Sequence, residues 1–352
     1  MSSELNPYKN KPQKSFWSPA VAKRHFYDIE NLWDPKFKIE RSDRVTTFGS
    51  CFAQHIGNAL RAHGFNWFIT EKAPLNSSSA LRKKYNYEVF SARTGNIYTT
   101  SLLKQWVNWS LNPSSFPDNL KFWEKDGRYI DPFRPVIEPE GFSTLSELEN
   151  SRFNTLSSFK LALKKSDIFV FTLGLTESWV NQGSSIEFPL CPGTVAGEYS
   201  SSRHEFVNQT YDIVVSNLSA AIDQIRKINP SCKFILTVSP VPLTATNTNE
   251  HVLVATMKSK SILRAAADFL SGNLDYVDYF PSYEIINSPV FRGTFFEPNL
   301  RQVNSRGVSF VMETFFRCMN QKFGLSTSAM TQSYDGNDEL VCEEELLSAF
   351  GE

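Results

Sequence analysis

No stretch of this chain approaches the roughly 20 consecutive apolar residues that a membrane-spanning helix needs. The first thirty residues, with Asn, Lys, Pro and Ser throughout, hold no apolar core behind a basic start. A span and a secretory leader are therefore not expected, and the chain reads as cytoplasmic. Cysteine is scarce: Cys51, Cys191, Cys232, Cys318 and Cys342 are odd in number, scattered and free of any CxxC spacing. That argues against a disulfide framework or a zinc site. With 36 basic and 37 acidic residues the formal net charge is −1, so nothing pulls the whole chain toward nucleic acid or anionic membrane. There is no P-loop and no G-x-G-x-x-G, which puts a phosphate or nucleotide site well behind other readings. Internal repeats are absent, no metal or cofactor is expected, and the oligomeric state is open.

What is present is enough chain, 352 residues, to bury a large core in one α/β domain. Four short apolar or β-branched runs stand out, Arg44–Phe48, Asp167–Leu173, Lys233–Val238 and Tyr276–Phe280, with a weaker fifth at Phe65–Ile69. Helical periodicity follows the first at Phe52–His63, precedes the third at Tyr211–Ile228, and joins the third to the fourth at Thr256–Leu270. This alternation predicts βαβ units around a parallel sheet. Ligands of such sheets bind beyond the carboxyl ends of the strands. The loops to inspect are therefore Gly49-Ser50-Cys51, Gly174-Leu175-Thr176-Glu177, Ser239-Pro240-Val241-Pro242 and Pro281-Ser282-Tyr283-Glu284.

Residues 70–150 break the rhythm with Pro, Asn and Ser clusters and read as a loop-rich insertion, either a cap over the site or a structural brace. Residues 1–324 form the expected main domain. Beyond Lys322 there is no Lys or Arg, while Asp335, Asp338, Glu339, Glu343, Glu344, Glu345 and Glu352 make 325–352 an acidic, solvated tail. It ends in a short amphipathic stretch (Leu340, Val341, Leu346, Leu347, Phe350) that either docks on the body or serves a partner. Aromatics make up 14% of the chain; most serve as core and loop anchors, and some are candidates for a sugar site.

The run Arg44-Val-Thr-Thr-Phe-Gly-Ser-Cys-Phe-Ala53 reads as strand, sharp turn, helix. Glycine permits the turn, and the residue after it sits where helix N–H groups favour negative charge. Ser50 and Cys51 are thus placed like nucleophiles, although Ser50 in that position also reads as an ordinary helix cap. The five letters Gly49-Ser50-Cys51-Phe52-Ala53 resemble the signature of the GSCFA family. Further family-like stretches run from Asn6-Pro7-Tyr8 to Gly307-Val308. They include Gly95-Asn96-Ile97-Tyr98-Thr99-Thr100, Asp131-Pro132-Phe133-Arg134-Pro135, Thr172-Leu173-Gly174-Leu175-Thr176-Glu177, Thr237-Val238-Ser239-Pro240 and His251-Val252-Leu253. The resemblance implies a relation to SGNH (GDSL-like) hydrolases and a three-layer αβα, flavodoxin-like fold. It also implies an acyl-ester hydrolase or O-acyltransferase acting on carbohydrate esters, with acetyl as the acyl group.

A serine nucleophile needs a base and donors for an oxyanion. Of the five histidines, His25 and His63 lie far from the expected edge, and His55 is about 140° around the helix from Ser50, on an apolar face. His204 falls in a predicted loop. His251, between the third strand and the next helix, is the expected base, and Glu177 its expected partner. Glu177 reads equally as a helix cap. The SGNH pattern of Asp and His three residues apart near the C-terminus is missing, since no histidine follows His251 and the region Phe295–Asn304 contains none. Either His251 has taken over, or the site binds a glycan or metabolite without chemistry. The resemblance suggests oxyanion donors at the Ser50 N–H, a glycine N–H and an asparagine amide, which points to Gly95 with Asn96 or Gly174 with Thr176. Cys51 ranks behind Ser50, and Lys260 in Ser259-Lys260-Ser261 is read as structural or substrate-binding.

Overall fold

The computed structural model describes residues 6–117, 120–324 and 340–351. In chain order the elements are β1 (Val45–Gly49), α1 (Phe52–Ala62), α2 (Ser79–Lys84), α3 (Thr100–Leu111), β2 (Trp123–Lys125), β3 (Arg128–Ile130), α4 (Leu145–Lys165), β4 (Ile168–Leu173), β5 (Glu177–Asn181), β6 (Ile186–Phe188), β7 (His204–Asn208), α5 (Tyr211–Ile228), β8 (Lys233–Val238), α6 (Val252–Asn273), β9 (Val277–Tyr279), α7 (Ser282–Asn287) and α8 (Ser305–Phe323).

The four strong apolar runs form one parallel sheet in the order β1-β4-β8-β9. Their side chains alternate between two cores. Phe48, Phe169, Phe171, Phe234 and Leu236 point to one face, where they meet α3, α4, α5 and α6. Val45, Ile168, Val170 and Ile235 point to the other, against α1, α7 and α8. Strands buried on both faces read as continuous apolar runs, and each buried aliphatic or aromatic side chain contributes about 1.5–3 kcal/mol. The result is the expected three-layer α/β architecture.

The weaker run Phe65–Ile69 does not become a strand. It touches β1 through a single bridge, Val45 with Trp67, and two hydrogen bonds, Val45 N–H to Asn66 O at 3.0 Å and Phe68 N–H to Val45 O at 2.8 Å. The chain thus leaves β1 through α1 on one face toward this outer edge. The helices α5 and α6, which connect β4 to β8 and β8 to β9, lie on the opposite face. The carboxyl ends of β1 and β4 therefore mark the point where the winding reverses, the usual ligand crevice of such sheets.

Residues 70–150 contribute α3 to the main core through Leu102, Leu103, Trp106, Val107 and Trp109. Their Asp131 and Arg134 also form a buried ion cluster with Arg152 of α4, the two guanidinium groups meeting Asp131 at 2.9 and 3.0 Å. Residues 177–208 form a three-stranded antiparallel sheet in the order β6-β5-β7; His204, expected in a loop, opens β7, and Glu177 starts β5 rather than capping a helix.

The acidic C-terminal region departs most from expectation. Asp335, Asp338, Glu339 and Glu352 lie outside the described residues. Residues 343–350 form a 3₁₀ helix on the body, with Glu343 and Glu344 buried rather than solvated. No helix among the described residues is long and apolar enough to cross a membrane.

Candidate functional site

β1 ends at Gly49, whose φ of +127° favours glycine, and a Cβ there would lie 2.3 Å from the Thr172 carbonyl oxygen. This close approach to β4 swings Ser50 to the sheet edge. Ser50 does not cap the helix: the N-cap of α1 is Cys51, without a side-chain cap. The Ser50 hydroxyl is buried and has no hydrogen-bond partner. A buried hydroxyl without a partner is unfavourable for folding, and such atoms concentrate where a ligand or reaction supplies the partner.

The segment Gly95–Tyr98 runs alongside. Ile97 N–H donates to Gly49 O at 2.9 Å, and Gly174 N–H donates to Tyr98 O at 3.0 Å. A Cβ on Gly174 would stand 3.2 Å from the Ser50 Cβ, so only glycine brings the two strand ends this close. Ser50, Gly95, Asn96 and Gly174 are thereby brought together. Two of the expected oxyanion donors are already engaged, however: Ser50 N–H donates to Thr172 O at 3.0 Å and Gly174 N–H to Tyr98. The Asn96 amide is engaged as well, by Val341 O at 3.0 Å and by the Glu343 carboxylate, which leaves the Gly95 N–H as the expected backbone donor not committed to a strand end. Thr176 faces away, its hydroxyl donating to Asn208 at 2.7 Å and its N–H to Ser259 at 3.0 Å.

His251 is exposed and caps α6, its Nδ1 accepting Leu253 N–H at 3.2 Å. Because Ser50 Oγ has no partner, the two do not form a Ser-His pair in this structure. Glu177 starts β5 and accepts from the Thr246 hydroxyl at 2.6 Å and Asn247 N–H at 3.2 Å, so it braces the loop before His251. Burial raises its pKa against those hydrogen bonds. His55 is buried, and desolvation lowers its pKa to about 4. His63 stacks on Phe316 at 3.8 Å.

The basic group at this edge is Lys260. It is 2% exposed on α6, and its Nζ donates to Gly174 O at 2.6 Å, so this lysine is buried against the turn that follows β4. Desolvation lowers its pKa to about 8. Cys51 is held protonated by its hydrogen bond to the Cys342 thiol and by burial, which disfavours it as a nucleophile.

Several groups that line the site were not singled out in the sequence. Gln54 follows Ser50 by one helical turn and pairs with both main-chain groups of Val341, its Nε2 donating to Val341 O at 2.8 Å and its Oε1 accepting Val341 N–H at 3.1 Å. Tyr98 donates to Glu343 at 3.3 Å. Arg301 stands in the region where an Asp-His pair was sought, and its guanidinium lies 3.6 Å from Glu344 and 3.0 Å from Glu345. Beside them lies a cavity of about 410 Å³ lined by Tyr98, Glu177, Trp179, Tyr199, Glu344 and Phe350, among others. Trp179 and Tyr199 meet there edge to face, ring centroids 5.3 Å apart.

A family model, that of the GSCFA family, matches residues 44–315. The chain belongs to the GSCFA family. The matched span contains Ser50, Asn96, Gly174, Lys260 and Arg301, but it ends before the C-terminal residues that lie over them. Curated proteins provide no match to this GSCFA chain. Among its described residues no group of three or more His, Cys, Asp or Glu side chains could hold a metal ion.

Proposed function

We propose that this GSCFA protein is a serine-dependent acyl-ester hydrolase or O-acyltransferase of SGNH type that acts on acetylated or acetylatable carbohydrate. The observation that carries the reading is the Ser50 hydroxyl, presented without a partner at the point where the sheet winding reverses, on a turn that the Gly95–Tyr98 backbone joins through Ile97 N–H and Gly49 O. In this reading Ser50 attacks the ester carbonyl and Asn96 stabilises the oxyanion. The acyl group then passes to water or to a sugar hydroxyl. Trp179 and Tyr199 suit the apolar faces of a sugar ring, and Glu177 suits its hydroxyls.

For the proton, His251 and Lys260 compete. We assign it to Lys260, whose amine reaches the Gly174 carbonyl from inside the site and whose pKa of about 8 leaves part of it neutral near pH 7. His251 would have to leave its capping position to take part. The free cysteines fit a reducing compartment, and we place the protein in the cytoplasm.

A fluorophosphonate that traps nucleophilic serines tests the reading. Ser50→Ala should abolish labelling with unchanged circular dichroism. Lys260→Met should slow it by about 10²–10⁴-fold, while His251→Ala should leave it near wild type. The reverse ranking would return the base to His251. A second reading, a glycan- or metabolite-binding protein without chemistry, is favoured by the absence of any group hydrogen-bonded to Ser50 Oγ. Failure of wild type and every variant to label, with sugar binding retained, would establish that reading instead.

A further inference from the structure

Residues Val341–Glu344, the approach to the 3₁₀ helix and its first two residues, are held the way a receptor holds a peptide. One side-chain amide, Gln54, pairs with both the N–H and the C=O of Val341, and Asn96 adds a second donor to the same carbonyl at 3.0 Å. Asn96 also donates to Glu343, whose carboxylate accepts from the Tyr98 hydroxyl at 3.3 Å. The next residue is held too: Glu344 N–H donates to the Tyr98 oxygen at 3.2 Å, and Glu344 accepts from Thr244 N–H at 2.7 Å. Arg301 reaches both Glu344 and Glu345. Main-chain pairing combined with pockets for particular side chains is how proteins read peptide segments.

The segment covers the groups on which the acyl-transfer reading depends. It occupies the Asn96 amide, the side-chain donor expected for an oxyanion, and it places Cys342 against Cys51, next to the nucleophile. Glu344, Leu347 and Phe350 also wall the 410 Å³ cavity, whose lining does not include Ser50. Under the segment remain buried polar atoms with no partner: Ser50 Oγ, Asn96 Oδ1 and Thr244 Oγ1. A segment that completed the site would be expected to satisfy them. A segment that lies over a site built for another ligand leaves them bare.

We propose that the groove beside Ser50 is a binding site for an acidic peptide, and that residues 340–351 of this chain are its resident occupant, a strap that leaves before an ester reaches Ser50. The regulatory part of this statement rests on the acyl-transfer reading, whereas the occupancy can be tested without it.

Cys51 is the reporter, because its alkylation requires exposure but no catalysis. In the full chain, the rate of iodoacetamide modification at Cys51 is followed by peptide mass mapping for wild type and for Glu344→Ala and Gln54→Ala, which release the strap from opposite sides. Ser50 labelling by the fluorophosphonate is measured in parallel, and thermal unfolding checks that each variant folds. About a tenfold or greater rise in both rates in either variant supports the strap. An unchanged Cys51 rate in folded variants overturns it. Faster Cys51 alkylation with slower Ser50 labelling also overturns it, because the segment would then complete the site rather than cover it. Faster alkylation with no Ser50 labelling in any form keeps the bound peptide and removes the acyl-transfer reading. Addition of a synthetic peptide of residues 340–351 to Glu344→Ala should restore the slow Cys51 rate, and a peptide without effect at millimolar concentration counts against the site.

Discussion

Glu187 shows how a single carboxyl can set a pH dependence. It sits on β6, 4% exposed, and accepts hydrogen bonds from the Thr99 and Ser101 hydroxyls. Burial raises its pKa to about 7 against those hydroxyls. A carboxyl whose folded pKa exceeds its unfolded value, about 4.3, contributes stability that is fully present below pH 4.3 and is lost as pH rises through 7. Glu187→Gln should therefore flatten the stability profile between about pH 4 and 7, and at pH 8 it should exceed wild type by about 3 kcal/mol in urea unfolding. A profile that keeps the wild-type slope would rule Glu187 out as its source. The same blindness to neighbours applies to Lys260 and Glu344. In the sequence each is an ordinary charged residue on a helical or acidic stretch, and only partners far along the chain, Gly174 O for one and Thr244 N–H with Arg301 for the other, make them buried.

Helices and strands were legible where hydrophobic periodicity was strong and continuous. Tyr211–Ile228 matches α5 to the residue, and the four apolar runs became the four sheet strands with shifts of at most one residue at their ends. Phe65–Ile69 failed because only Trp67 finds a partner in β1 and the neighbouring hydrogen bonds do not propagate. The 21-residue helix α4, which starts within the last residues of the apparent insertion and runs beyond it to β4, has no counterpart in the sequence reading, although Thr144-Leu-Ser-Glu147 carries a capping-box pattern. In the structure Glu147 N–H donates to the Thr144 hydroxyl at 3.2 Å and Glu147 returns the interaction to Thr144 N–H at 3.3 Å. Thr144→Ala should cost about 1 kcal/mol, read as a lower urea midpoint with unchanged slope. The antiparallel sheet β5–β7 gave little signal because its strands are short and only half-buried, so alternation is weak.

Over the whole molecule, the buried cluster around Asp131 ties residues 70–150 to the core-facing helix α4. Burial would raise the Asp131 pKa, but Arg152 and Arg134 more than offset it and hold it at about 2. This depressed carboxylate contributes stability above its unfolded pKa of about 3.9, lost as pH falls through 2. Asp131→Ala leaves two buried guanidinium groups without their shared counter-ion and should cost about 3–5 kcal/mol at pH 7. The difference from wild type should shrink as pH falls from about 4 to 2. An equal penalty at pH 2 and pH 7 would contradict the ion-pair account.

What the amino-acid order decided was local: which runs alternate or stay apolar long enough to become strands and helices, and that a glycine-serine turn closes the first strand. Those properties depend on neighbours within a few residues, and they suffice for the parallel α/β architecture and for the position of Ser50. The tertiary structure alone decided what surrounds that serine. It engaged the Ser50 and Gly174 N–H groups, left His251 without a bond to Ser50, buried Lys260, and brought Glu343 and Glu344 onto Asn96, Tyr98, Thr244 and Arg301. Apart from His251, whose own cap is made two residues along the chain, these outcomes rest on contacts between residues about 40 to 250 positions apart, where the environment of a charge depends on which distant groups desolvate and pair with it.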